Sequence, residues 1–318
     1  MALGCRGGQT YVYRSVLREE PMEEAPLYAH RYPTQHEGDT RKMSPITHSK
    51  SLPMRFLFVP VNYNSYDALN AYIQAVSHAL QMTDDDAFCA DIHVADNSSE
   101  PKEIAQDERI TILARHYDNP GYLQAALNTI YSADLSSYDY IIISNVDVLV
   151  DESFFVSFKD LSIDQQTAWI APAICSESEK RDVNPKIQER YSKKRLQQLR
   201  LLFRFPLLYH LYTKTVYRKK VITATQKPQQ DIYAGHGSFM VFTSEFFQKC
   251  PKMDYPVFLF CEEIFLAEKV ESIGCKTTYC PSIKIHDKEH ASTGKMKLSK
   301  YCKYNYEALT YIINKFYE

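Results

Sequence analysis

The 318-residue chain is marked first by what it lacks. No Gly-rich phosphate loop with a following lysine stands after its first strand-like run, which argues against a nucleotidyltransferase. Its eight cysteines (positions 5, 89, 175, 250, 261, 275, 280 and 302) form no CxxC pair, and several lie inside apolar runs. They read as reduced, mostly buried thiols rather than as a zinc site or a disulfide framework. No apolar run approaches the ~18 residues of a membrane-spanning helix, and no signal peptide opens the chain. The expectation is a cytoplasmic protein, soluble or peripheral on the inner face of a membrane. The net charge of -2 gives no bulk affinity for nucleic acid. What is plentiful is tyrosine, 24 residues. Tyrosine offers apolar area with a polar tip, as carbohydrate-binding or membrane-proximal surfaces often do.

Residues 1–53 mix Gly, Pro, His, Glu and Arg without periodicity and predict a poorly ordered N-terminal extension. From residue 54 the chain alternates. Strand-like runs at 56–61, 88–95, 110–114 and 141–143 are interleaved with helical spacing over 66–82, 122–133 and about 152–159. This predicts a βαβ array with a parallel sheet over 54–160. A further strand at 169–172 precedes a change of character. Residues 186–220 carry eleven Lys or Arg against one acid, Glu189, interleaved with leucines and phenylalanines. They read as a basic amphipathic helical insertion broken at Pro206. Such a helix suits either an anionic membrane surface or ordinary packing on the domain. Beyond it, 239–242 predicts a strand, Ser244 an N-cap, and 264–273 a helix ended by Gly274. Two short strands at 277–280 and 283–285 and a terminal helix over Leu298–Phe316 complete the reading.

The four early strands all run into polar clusters: Asn62-Tyr63-Asn64-Ser65, Asp96-Asn97-Ser98-Ser99, the segment through Asn119-Pro120-Gly121, and Ser144-Asn145-Val146-Asp147. In open α/β sheets ligands bind at the carboxyl ends of the strands. Asn145 and Asp147, spaced i and i+2, can converge on one ligand, and their oxygens suit Mg²⁺ or Mn²⁺ shared with substrate phosphates. The same residues also suit a solvated, capped turn. Adjacent Glu262 and Glu263 follow the apolar run 256–261 and read either as helix-capping acids or as a desolvated general base. His286 after a strand reads as a surface or core histidine or as a ligand.

Taken in order, Val59-Pro60-Val61-Asn62-Tyr63-Asn64-Ser65, Asp96-Asn97-Ser98-Ser99, Asn119-Pro120-Gly121, Asn145-Val146-Asp147, the segment 235–240, Phe258-Leu259-Phe260-Cys261-Glu262-Glu263 and His286 resemble the family 2 glycosyltransferases. Within that family the pattern is similar to the rhamnosyltransferase-like branch of bacterial surface-polysaccharide synthesis. The resemblance covers about residues 55–290. It implies an α/β fold of GT-A type, a Rossmann-like mixed sheet flanked by helices. Its nucleotide-binding half would be 54–160 and its acceptor half 161–290, with residues 291–318 forming a C-terminal helix. It implies an inverting, metal-dependent transfer from a nucleotide-diphosphate sugar to a glycan or lipid-linked glycan. Pro60, Asn62 and Asn64 would line the nucleotide cleft, with Asp96 accepting from the base. Asn119 and Gly121 would close over the nucleotide. Asn145, Asp147 and His286 would hold Mg²⁺ or Mn²⁺. Gly237 and Ser238 would border the donor sugar, and Glu263, with Glu262 before it, would be the base. Asn145 for the more usual Asp and Glu263 for the more usual Asp are departures. They leave open a non-catalytic nucleotide-sugar-binding subunit of a membrane-associated complex.

Overall fold

The computed structural model describes residues 52–83, 86–215, 227–288 and 296–317; nearly all of the N-terminal extension and the end of the basic segment lie outside them. In chain order the elements are β1 (Met54–Asn62), α1 (Tyr66–Gln81), β2 (Phe88–Asp96), β3 (Thr111–His116), α2 (Tyr122–Ile130), β4 (Tyr140–Asn145), β5 (Val148–Val150), α3 (Val156–Lys159), β6 (Thr167–Ser176) and β7 (Arg181–Asp182). They continue with α4 (Lys193–Arg204), α5 (Pro206–Thr215), β8 (Gln230–Ile232), β9 (Phe239–Thr243), α6 (Ser244–Lys249), α7 (Glu262–Ser272), β10 (Lys276–Asp287) and α8 (Leu298–Phe316).

Among the described residues the ten strands form one mixed sheet, ordered β3-β2-β1-β4-β9-β6-β10-β5, with β7 beside β6 and β8 beside β10. β1 is parallel to β2 and β4, and β2 is parallel to β3. β9 then runs antiparallel to β4 and β6. The middles of the central strands, 56–59, 141–143 and 239–242, are apolar on consecutive positions because both faces are covered. The pleat sorts their side chains. Leu57, Val59, Ile141, Ile143, Met240 and Phe242 face the layer that includes α2, α7 and α8, while Phe56, Phe58, Ile142, Phe239 and Val241 face α1 and α3. On that second face Phe56 meets Phe154, Phe155 and Phe158 edge-on at 6.1, 5.2 and 4.9 Å. The α/β sheet flanked by helices is therefore present.

Several local expectations are corrected. The helix expected over 152–159 begins only at Val156, because Asp151 first turns the chain by accepting from Ser153 N (3.0 Å) and Oγ (2.6 Å). Helix α2 stops at Ile130 rather than Ala133. Thr243, not Ser244, holds the N-cap position of α6, since β9 runs straight into the helix. The strands expected at 277–280 and 283–285 are one strand, β10, which absorbs Pro281 at an irregularity between Cys280 and Lys284. Helix in the basic segment starts at Lys193 instead of residue 186, and Pro206 does break it into α4 and α5.

Two glycines with positive φ differ in what surrounds them. Gly274 (φ 71°) ends α7 in open space, so an added methyl meets nothing. Gly121 (φ 108°, ψ 169°) lies in a region reserved for glycine, and a Cβ there would meet Phe258 O at 2.5 Å. Gly274→Ala should cost about 1 kcal/mol and Gly121→Ala at least about 2–3 kcal/mol in denaturant unfolding. Equal costs would contradict the close approach of Phe258 to Gly121.

Candidate functional site

The carboxyl ends of β1, β2 and β4 end in polar side chains that must be satisfied away from water. Asp96 is 3% exposed, and its carboxylate accepts from Asn62 Nδ2 (3.0 Å), Ser98 Oγ (2.6 Å), Ser98 N (3.2 Å) and Tyr66 Oη (2.8 Å). Asn62 Oδ1 in turn accepts from Ser65 N. These bonds fix the first turn of α1 against β2. Asn64 is exposed, in the left-handed region, and held through its amide to Ser98 Oγ at 2.8 Å. Pro60 is buried and in register with Ser144 of β4. Asp96 thus organises this rim, its carboxylate already occupied by protein donors.

From the rim, bonds lead across the sheet. Asn97 Nδ2 donates to Gly121 O (3.4 Å), just after Asn119, which also sits at positive φ. Tyr122 Oη donates to Gly237 O (2.9 Å), and Gly237 N donates to Glu263 Oε1 (3.3 Å). Ser238 O accepts from Asn145 N at 2.9 Å. A Cβ at Gly237 would sit 3.0 Å from Glu263 Oε1, so the small residue permits this approach. Glu263 is aimed by an unusual turn. Phe260 (φ 77°) and Cys261 (φ 62°) are consecutive non-glycine residues in the left-handed region, at roughly 1–2 kcal/mol each. Tyr255 Oη donates to Phe260 O (2.5 Å), and Phe260 N donates to Glu262 Oε1 (2.7 Å), which holds the turn. Glu262 is therefore turned back onto its own loop, and Glu263 faces the sheet rim.

Asp147 is two residues beyond Asn145, whose amide donates to Ser238 O beside Gly237. Burial first, then the negative charges of Glu262, Glu263 and Asp147, push the Tyr122 hydroxyl well above its ordinary range. Asn145 and Asp147 are half-buried at the bend between β4 and β5. The end of β10 is beside that bend: Asp287 pairs with Val148, and Lys288 N donates to Asp147 O (3.3 Å). His286 is one residue before this pair. Its Nε2 lies 2.8 Å from Asp151 Oδ2. Burial alone would raise the Asp151 carboxyl, but bonds from Ser153 and His286 overcome it and bring the value down to about 2.

The donor set fits a hard divalent cation in part. Asn145 and Asp147 supply an amide and a carboxylate oxygen on one bend, the arrangement in which Mg²⁺ or Mn²⁺ completes its shell with substrate phosphates and water. Among the described residues no three His, Cys, Asp or Glu side chains are gathered as a ready-made cage.

Several residues here carried no expectation. Tyr122 links the two halves. His236 is held by its amide to Asn184 Oδ1 (2.8 Å), and its Nδ1 accepts from Ser238 N (3.1 Å), so the hydrogen is on Nε2. Burial, then the charges of Lys186 and Arg181, keep its pKa well below the usual histidine range. Lys186 is brought to the site by the bridge between Ile187 and Ala234, and burial lowers its pKa against the opposing pull of Glu263 and Glu179. None of these shows in the sequence, because each depends on pairing between distant segments.

No protein-family model matches the chain. No curated protein matches it either. Among solved structures it is similar to GalNAc-T7 with UDP, GalNAc and Mn²⁺, at 13% identity over 77% of this chain and 45% of that one, TM-score 0.49. It is also similar to the catalytic domain of Drosophila beta1,4galactosyltransferase 7 in complex with xylobiose, at 10% identity over 71% of this chain and 64% of that one, TM-score 0.37. The chain thus spans less than half of the first structure and under two thirds of the second. At these identities and scores neither likeness bears on activity.

Glu262 gives the site a pH signature. Burial, then repulsion from Glu263, hold its carboxyl well above the ordinary range. The folded state therefore keeps a proton that the unfolded chain releases near pH ~4.3. Its stabilising effect is complete below that pH and declines as pH rises. Glu262→Gln retains an acceptor for Phe260 N and should unfold like wild type near pH ~4. At pH 8 it should be more stable by roughly 1–3 kcal/mol. A pH-independent difference in denaturant midpoint would contradict this.

Proposed function

We propose that the chain is a glycosyltransferase of GT-A architecture, transferring a sugar from a nucleotide-diphosphate donor to an acceptor hydroxyl. The observation that carries this reading is that Gly237 N donates to Glu263 while the neighbouring Ser238 O accepts from Asn145 N, at the bend that also carries Asp147. A metal-type acid at a sheet rim and a second acid aimed from the other half of the chain are what displacement at an anomeric carbon needs. In this reading the donor diphosphate lies along the ends of β1, β2 and β4. Asn62 and the Asn119–Gly121 segment border the nucleotide. Asn145 and Asp147, with His286 close by, would hold Mg²⁺ or Mn²⁺. That ion supplies Lewis-acid stabilisation of charge on the departing diphosphate.

Glu263 Oε1, oriented by Gly237 N, takes the proton of the acceptor hydroxyl, and the hydroxyl attacks from the face opposite the leaving group. Inversion at the anomeric carbon follows from that single displacement. Gly237 and Ser238 leave room for the donor sugar. Glu262 is a positioning residue that fixes the turn before α7. Lys186 and His236, at the acceptor side, favour an acceptor with hydrogen-bonding or anionic groups. A lipid-linked or growing surface glycan of the rhamnosyltransferase-like class is the acceptor this reading assigns.

A panel of nucleotide sugars with Mn²⁺ tests the assignment, read as free nucleoside diphosphate with and without glycan acceptors. Wild type should release diphosphate from at least one donor. Asp147→Ala and Glu263→Gln should each lower that rate by about 10²–10⁴-fold. Both variants turning over near the wild-type rate would overturn the assignment. Donor binding without turnover by wild type would point instead to a binding subunit.

A further inference from the structure

Helices α4 and α5 bury one side and leave the other open. Leu196, Leu199, Phe203 and Tyr209 are buried, and the rings of Phe203, Tyr209 and Tyr301 of α8 meet at 5.0–6.0 Å. The outward side is not the polar face of an ordinary solvated helix. Leu201 is 56% exposed, Phe205 50% and Leu207 81%, and Leu208 and Leu211 are exposed as well. Among the described residues, half of the ten exposed large apolar side chains fall within these eleven positions, 201–211. The cause is Pro206. It ends α4 at Phe205 (φ −122°, ψ 92°), so two apolar stripes turn outward at one elbow.

Within the two helices of this elbow the charge has one sign. Residues 193–214 contain Lys193, Lys194, Arg195, Arg200, Arg204 and Lys214 and no acid. A surface groove of about 380 Å³ beside the elbow is lined by Phe203, Arg204, Pro206, Ser299, Lys303 and Tyr306. Arg204 and Lys303 therefore stand over an apolar floor. Lys303 has only a loose pairing with Glu307, at 3.8 Å. A second copy of the chain docked here symmetrically would set like charges face to face. An anionic bilayer satisfies both features, apolar side chains entering the acyl boundary while Arg and Lys meet headgroup phosphates.

We propose that the α4–α5 elbow is a membrane-contact surface that seats on anionic lipid. The inference is independent of the transferase reading. It would place this face of the protein on a bilayer whatever the chemistry of the sheet rim.

The test is co-sedimentation of the full chain with phosphatidylcholine vesicles, alone or with about one-third phosphatidylglycerol. Wild type should pellet with the anionic vesicles at low salt, less at high salt, and remain in solution with phosphatidylcholine alone. Leu201→Glu combined with Leu207→Glu should weaken binding about tenfold or more. Its thermal midpoint should be unchanged, since both side chains are exposed. Arg200→Glu combined with Arg204→Glu should act similarly and reduce the salt dependence. No pelleting of wild type with anionic vesicles would overturn the proposal. So would pelleting of the leucine variant equal to wild type, or a leucine variant whose only change is loss of a dimer.

Discussion

The site rests on how Gly237 is held. Its carbonyl accepts from Tyr122 at the start of α2, and its amide donates to Glu263 at the start of α7. The three segments come from different parts of the chain and are brought together by the sheet, where β9 lies antiparallel between β4 and β6. The close approach leaves 3.0 Å between a built Cβ and Glu263 Oε1, so a larger residue would push the acid away. The neighbouring Ser238 then ties the same junction to Asn145. Tyr122, Glu263 and Asn145 are thus all held at Gly237 or its neighbour.

Burying acids around such a junction has consequences. Glu262 and Glu263 are adjacent, and only one can face the open side. The left-handed turn at Phe260 and Cys261 decides which, turning Glu262 onto the loop and leaving Glu263 toward Gly237. Asp96 is the opposite case. Its buried carboxylate is saturated by Asn62, Ser98 and Tyr66, so its effect is rigidity at the ends of β1 and β2. The two arrangements divide the site into a fixed rim and an acid poised above it.

Much of the framework was legible in local pattern. The β-branched run Ile141-Ile142-Ile143, the helical spacing after Tyr66, the break at Pro206 and the stop at Gly274 are signals that act over a few residues. Pro281 misled because a strand can carry proline at an irregularity, so β10 continues where a break was expected. The turn at Asp151 shortened a helix through side-chain bonds that compete with it. At the site, the polar strand ends and the acidic pair could be read, but not that Glu262 folds back onto its own loop, because that depends on the left-handed turn at Phe260 and Cys261. Tyr122, His236 and Lys186 were also hidden. Their partners are 115 residues away for Tyr122 and 52 for His236, and only the folded sheet brings them within reach.

The central claim is that Asp147 and Glu263 flank a donor diphosphate. Calorimetric titration of the nucleoside diphosphates UDP, GDP, CDP and dTDP into the full chain, with Mn²⁺ or with chelator, tests it most directly. The account predicts that at least one binds with Mn²⁺ and not with chelator, that Asp147→Ala abolishes this binding, and that Glu263→Gln leaves it intact. Binding that is indifferent to both chelator and Asp147→Ala, or no binding of any nucleotide, would contradict it.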